Sequence, residues 1–316
     1  MLSWEERRQL VKVASFYYRE GFTQEQIAKK IGVSRPFISK QLQKAKDYGI
    51  VEVFIKDETV HTVELEGLIE ERYGLKDVVV VPIVDQYSDM RKKVIGQVAA
   101  NYIIKNLKDV KSIGIGWGST LAELVKEYPY ENREDVKIIP LVGGMGTQQV
   151  DIHANQLAYE LAKKMNGSCS YLYAPAIIDS EELKNRLVDM QDVKSVLEDA
   201  RKVDLALVGI GNPYKESTLE KIGYVKQEDI EDLRKCGAIG DIISRFLDYN
   251  GKPINHPINE KVIGITLDEL KKIQIVIGVV EGRNKLESIR GALRGNYLDI
   301  LIIDEASASE LLLIDF

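Results

Sequence analysis

Residues 23–44 limit what this chain can fold into more than any other stretch. Thr23 can cap the start of a helix, and Gln26 three positions later completes a capping box. Ile27, Ala28 and Ile31 then fall on one helical face. Gly32 stands where a helix stops in a left-handed turn, the conformation that costs glycine least. Ser34 can cap a second helix, and Pro36 lies in its first turn, where a missing N–H matters little. The second helix turns Ile38, Leu42 and Ala45 inward and leaves Arg35, Phe37, Ser39, Lys40, Gln41 and Lys44 outside. Two helices so joined, with cations and amides on the outer face, have the form of a helix-turn-helix entering a major groove. Arg35 and Gln41 are expected on base edges, with Ser34, Ser39, Lys40 and Lys44 mostly on phosphates.

At 316 residues the chain is too long for one such module and implies two domains. Its charge is split accordingly. Residues 1–56 hold 11 Lys/Arg against 6 Asp/Glu, a balance of +5, so the rest carries −11 of the total −6. A basic head on an acidic body fits one end touching phosphates while the remainder stays soluble. No apolar run nears the roughly 18 residues that span a bilayer, and the first residues lack signal-peptide features, so a cytoplasmic protein with no membrane contact is expected. Two cysteines and three scattered histidines offer neither a disulfide framework nor metal-ligand spacing, and no metal or cofactor is expected.

Along the chain, residues 3–20 read as a first helix, capped by Ser3 with Glu6, burying Leu10, Val13, Ala14 and Phe16 or Tyr17. Residues 49–55 read as a short strand, one arm of a wing. Residues 59–73 alternate apolar and charged positions at helical spacing, which suits either a helix packed on its own body or a linker helix pairing two subunits. From Asp77 the pattern changes. Apolar runs at 78–81, 113–116, 138–142, 206–210, 275–279 and 300–303 alternate with helical stretches such as 90–106, 121–127, 155–165 and 180–189. Continuous rather than alternating apolar strands predict a parallel sheet covered on both faces. The predicted organisation is a winged helix-turn-helix over 1–56, a linker helix over 57–75 and a Rossmann-like α/β domain over 76–316.

Five loops in that domain bring glycine to strand ends: 114–120, 143–146, 209–212, 237–241 and 281–285. Ligands bind at such ends in open α/β sheets. Gly114 and Gly116 match the first two positions of a dinucleotide fingerprint, but the third would be Ser119, and no clear acidic residue follows at the right distance. A nicotinamide site is therefore disfavoured. Gly116 and Gly118 instead let the backbone approach an anion, Ser119 and Thr120 supply hydroxyls, and a helix starting near Leu121 adds free N–H groups. Lys285 is placed to reach a phosphate as a point charge.

These motifs, in this order, resemble the SorC/DeoR-type sugar-binding bacterial transcriptional regulators over essentially the whole length. The resemblance is carried by the helix-turn-helix, by Gly116-Trp117-Gly118-Ser119-Thr120-Leu121 and by Pro140-Leu141-Val142-Gly143-Gly144. Asp151 with Asn155, Ala174-Pro175-Ala176, Gly209-Ile210-Gly211, Gly237-Ala238-Ile239-Gly240-Asp241, Lys285 with Ala292-Leu293-Arg294-Gly295, and the closing 301–305 add to it. It implies an effector domain similar to the sugar-phosphate isomerase and deaminase fold, in a homotetramer (a dimer of dimers) that binds operator DNA and responds to a phosphorylated sugar. Gly118, Ser119, Thr120 and Lys285 would contact the effector phosphate. Gly143, Gly144, Met145, Gly146, Gly240 and Asp241 would border the sugar, and Asp151, Asn155 and Gly211 are also expected at the effector site. The sequence departs from the pattern at Glu281, where the family often has a first glycine before Gly282; its carboxylate could repel a second phosphate or bond a sugar hydroxyl. A repressor rather than an enzyme is expected. The alternative is an isomerase or deaminase with an appended DNA-binding head, using Asp241 and Glu281 as acid and base.

Overall fold

The structure, a computed structural model, describes residues 2–51, 60–82, 88–144 and 146–313. Most of the expected wing strand and Met145 lie outside the described residues. The chain divides into two compact units, Met1–Val60 and His61–Phe316.

The first unit is three helices, α1 (Trp4–Tyr18), α2 (Gln24–Ile31) and α3 (Arg35–Asp47). Both expected capping boxes form, Ser3 with Glu6 and Thr23 with Gln26. Gly32 ends α2 at φ +80°, and the Ser34 hydroxyl accepts from the Phe37 amide at the start of α3. Val13, Ile27, Ala28, Ile38 and Leu42 form a small buried core with Phe16, Phe22, Ile31 and Val33 against its rim. Phe16, not Tyr17, is the aromatic that packs inward, because Tyr17 turns toward solvent beside Tyr18.

The second unit is built on a seven-stranded, wholly parallel sheet. Its strands are β1 (Asp77–Val81), β2 (Ser112–Ile115), β3 (Lys137–Pro140), β4 (Ser168–Cys169), β5 (Leu205–Val208), β9 (Ile275–Val280) and β10 (Ile300–Asp304), in the spatial order β1-β10-β9-β5-β2-β3-β4. A small antiparallel sheet joins β6 (Ile210–Gly211), β7 (Gly240–Ile242) and β8 (Arg245–Leu247). Successive strand residues point to opposite faces, so the apolar runs feed two cores. Leu205, Leu207, Ile277, Val279, Ile300 and Ile302 meet one set of helices, and Ala206, Val208, Val276, Val280, Leu301 and Ile303 the other. The first face is covered by α5 (Ser88–Asn106), α6 (Ser119–Glu127) and α7 (Ala154–Met165), through Ile95, Leu121, Leu124, Leu157 and Leu161.

The helix α4 (Val60–Tyr73) packs on the body of its own chain, burying Leu65 and Ile69. Its carboxylates also seal the sheet margin. Glu70 accepts from the Val78 amide at 3.0 Å and Glu66 from the Val80 amide at 2.9 Å, which satisfies two outward donors of the edge strand β1.

Candidate functional site

The strand order reverses between β2 and β5: from β2 the chain moves outward through β3 and β4, whereas β5 leads back toward β9 and β10. A crevice opens at the carboxyl ends of strands at such a switch point. Here it holds a cleft with about 600 Å³ of empty space, walled by residues 117–121 after β2, residues 209–212 after β5, Asp241 on β7, and Lys285 after β9.

The wall nearest β2 starts α6. Gly118 caps this helix at φ +123°, and its amide donates to the Ile152 carbonyl at 2.9 Å. The helix begins at Ser119, two residues before the expected start, so Ser119 and Thr120 occupy its first turn. Their backbone N–H groups belong to the set with no intrahelical acceptor, and the positive end of the helix dipole faces the same space. Trp117 braces the wall by donating its indole N–H to the Ser244 hydroxyl at 3.0 Å.

The opposite wall carries the charge. Lys285 is half-buried and lies beside Asp241, Glu281 and Lys92, and burial lowers its ammonium pKa. Among the described residues its Nζ has no hydrogen bond or salt bridge. Asp241 is buried, with Oδ2 accepting from the Ser244 amide at 3.2 Å. Burial pushes its carboxyl up to about 6, against the pull of the Ser244 amide and Lys285. Gly211 packs on that carboxylate, where a Cβ would fall 2.0 Å from Oδ1.

An adjoining cavity shares Ser119, Glu216, Thr218 and Lys285 with the cleft and adds Lys92, Gln149, Lys221, Glu281 and Asn284. Glu281 is buried and ion-paired, its Oε1 accepting from Arg91 Nε at 2.8 Å. Its carboxylate is thus neutralised from α5. The neighbouring Gly282 holds φ +108° and donates to Asp304 Oδ2 at 2.9 Å, so the left-handed requirement falls on the second position of that pair.

Backbone strain gathers here. Among the described residues six non-glycines are left-handed; Gln149, Glu216 and Ile243 line the two cavities, and Ser244 bonds to Trp117 and Asp241. Such conformations cost about 1–3 kcal/mol each and concentrate at ligand clamps and switch regions.

Of the expected effector residues, Gly118, Ser119, Thr120, Gly211, Asp241 and Lys285 therefore converge on one cleft, and Glu281 on its extension. Gly116 and Gly240 stand behind the wall, facing Ile243 and Ser288 respectively. Gly240 and Asp241 lie inside an antiparallel strand instead of at a parallel strand's end. Gly143 and Gly144 pack on residues 174–176, and Gly146 abuts the Tyr224 ring. Asp151 is exposed on a short 3-10 turn (Val150–Ile152).

Asn155 clamps a neighbouring loop. Its Nδ2 donates to the Leu172 carbonyl at 3.0 Å and its Oδ1 accepts from the Leu172 amide at 2.8 Å. Asn155→Ala is expected to lower stability by about 1–3 kcal/mol, because the amide of the buried Leu172 loses its partner, whereas its carbonyl keeps the Ala174 amide at 2.9 Å. Thermal unfolding checks this; an unchanged Tm would mean that water replaces the clamp.

Sequence reading missed Lys92, Gln149, Lys215, Glu216 and Lys221. The three consecutive cations 91–93 were the one available signal, since a helix that packs on the sheet cannot keep all three in open solvent. In the first unit, Ser34, Arg35, Phe37, Ser39, Lys40 and Lys44 are exposed on or beside α3 and Gln41 is half-buried, a surface free for a partner.

Comparison with known proteins bears on both units. The profile described as "Putative sugar-binding domain" matches residues 57–313. A deoxyribonucleoside regulator of Bacillus subtilis is 30% identical over 309 residues, covering 97% of this chain and 98% of that protein. The full-length sorbitol operon regulator of Klebsiella pneumoniae superposes with a TM-score of 0.77 at 30% identity, covering 98% of this chain and 99% of that one. A DeoR family transcriptional regulator from Listeria monocytogenes gives a TM-score of 0.75 at 39% identity, covering 79% of this chain and 99% of that one. With its length, both units and its sheet accounted for by these relatives, the chain belongs to the SorC/DeoR-type family of sugar-binding transcriptional regulators.

Proposed function

We propose that this regulator is a repressor of sugar-metabolism genes, a homotetramer built as a dimer of dimers, whose grip on operator DNA is set by a phosphorylated sugar held in the cleft. One observation carries the effector reading: the open first turn of α6, with the Ser119 and Thr120 hydroxyls, shares a cleft with a half-buried lysine that has no carboxylate partner among the described residues. A phosphomonoester supplies the missing negative charge and accepts from the free N–H groups. Glu216 and Asn284, bonded to each other at 3.2 Å, line the adjoining cavity and offer oxygen acceptors to sugar hydroxyls, whereas the Asn212 amide is taken up by the backbone of Tyr214, Lys215 and Asn284.

An effector can shift DNA affinity only by its differential affinity for two conformations, typically 1–3 kcal/mol, or about 5- to 150-fold. Fluorescence anisotropy on DNA from upstream of the gene, with a panel of sugar phosphates, tests this. Unchanged DNA affinity across the panel would refute it. The enzymatic alternative rests on the raised Asp241 carboxyl, but Glu281 is engaged by Arg91 and is poorly placed as its base partner. Turnover of a pentose or hexosamine phosphate by the purified protein would favour that alternative.

For the DNA face, Lys44→Ala is expected to weaken binding evenly across sequences and to flatten the salt dependence by about one unit. Arg35→Ala is expected to cost about 1–3 kcal/mol and to relax preference at one base pair. Titrations at several salt concentrations on matched and mismatched DNA separate the two; a purely salt-like loss for Arg35→Ala would move it to the backbone.

A further inference from the structure

Three consecutive cations on α5 differ in their surroundings. Arg91 is paired with Glu281 at 2.8 Å and Lys93 with Glu127 at 3.8 Å. Lys92 between them is half-buried and has no salt bridge among the described residues. It faces the cavity that also holds Ser119, Gln149 and Lys285, close enough to Lys285 for the two ammonium groups to repel.

Two half-buried lysines of like charge facing one cavity raise the free energy of the empty protein unless an anion lies between them. Glu281, Asp241 and Asp304 attract Lys285, yet none forms a salt bridge with it or with Lys92 among the described residues. Glu281 is already engaged by Arg91, and Glu216 accepts from the Asn284 amide at 3.2 Å. Asp241 is turned toward the Ser244 amide in the inner cleft. Gln149, held at φ +48°, adds an uncharged amide at the same mouth.

We propose that Lys92 is a second phosphate-binding cation, closing with Lys285 on one dianionic phosphate seated against Ser119. The proposal rests on the reading of the cleft as an anion site, and adds that a helix outside every glycine loop supplies half of the charge. A monoanion such as a carboxylate leaves one of the two lysines uncompensated, so phosphate esters are selected over sugar acids.

The test uses the full chain and inorganic phosphate as probe, following the midpoint of thermal unfolding against phosphate concentration at constant ionic strength. The wild type is stabilised, and both Lys92→Met and Lys285→Met weaken the apparent phosphate affinity about tenfold or more, whereas Lys163→Met on the exposed face of α7 leaves it unchanged. Lys92→Arg, which keeps the charge, retains most of it, so a loss in Lys92→Met alone is not a folding defect. Lys92→Met with wild-type affinity while Lys285→Met loses it overturns the proposal and leaves the cleft reading intact. A wild type that phosphate does not stabilise overturns both.

Discussion

Lys285→Met is expected to disconnect sugar phosphate from DNA while leaving the DNA-binding head untouched. Methionine keeps the apolar stem but removes the one cation among the described residues that both cavities share. Removing a half-buried charge from a charge-assisted contact costs about 2–4 kcal/mol, so the effector that acts most strongly on the wild type should bind about 30- to 1,000-fold more weakly. DNA affinity without effector should stay within about twofold. The substitution removes the cost of burying an ammonium and the repulsion with Lys92, against lost attraction to Glu281, Asp241 and Asp304; burial is the largest of these, so the empty protein should be no less stable than the wild type. Calorimetric titration of the effector, DNA anisotropy and thermal unfolding read these three quantities separately. Continued control of DNA binding by the same effector in Lys285→Met would place the phosphate elsewhere.

Gly251→Ala should produce the largest loss of stability of any single methyl group added to the body. Gly251 holds φ +76°, and a Cβ there would fall 2.3 Å from the Gly295 amide nitrogen and 2.4 Å from the Gly291 carbonyl oxygen. Both are backbone atoms of the helix that follows Lys285 and of its end, so no side-chain rotation relieves the contact. The Tyr297 hydroxyl, which donates to the Gly251 carbonyl at 2.6 Å, would be displaced with it. A loss of about 3–5 kcal/mol is expected, or roughly 10 °C in Tm for a unit of this size. Gly237→Ala is the control. It has the same φ of +76° but nothing within 4 Å of the added carbon, so it should show only the conformational part, about 1–2 kcal/mol. Equal losses in the two variants would remove the backbone clash as a cause.

What the sequence made legible followed the range of the forces involved. The first unit was readable because its signals are local: a hydroxyl three residues from its amide, a glycine at a helix end, an apolar residue every third or fourth position. The parallel strands were readable because burial on both faces leaves continuous apolar runs. The small sheet β6-β7-β8 was not. Its two-residue turn, Ile243-Ser244, takes left-handed φ values of 49° and 63° without the asparagine or glycine that announces such a turn. Strain at an isoleucine is held by tertiary contacts, which no local pattern encodes. The site was split in the same way. Ser119, Thr120 and Lys285 sit on glycine-bearing loops and could be read as ligands. Lys92 and Gln149 reach the cleft only because the sheet brings α5 and the 3-10 turn to its mouth. Asn155 shows the reverse error of sequence reading, where a residue that suits a ligand is consumed by two backbone groups 17 positions away.

The carboxylates that α4 lends to Val78 and Val80 also bear on solubility. An outer strand with bare amides is a template on which another copy can add a strand, and acidic side chains bonded to those amides remove the template. Growth by strand addition is thereby blocked at that border, and the opposite border offers only the two residues of β4. Edge-to-edge pairing of two such sheets is therefore disfavoured at either border.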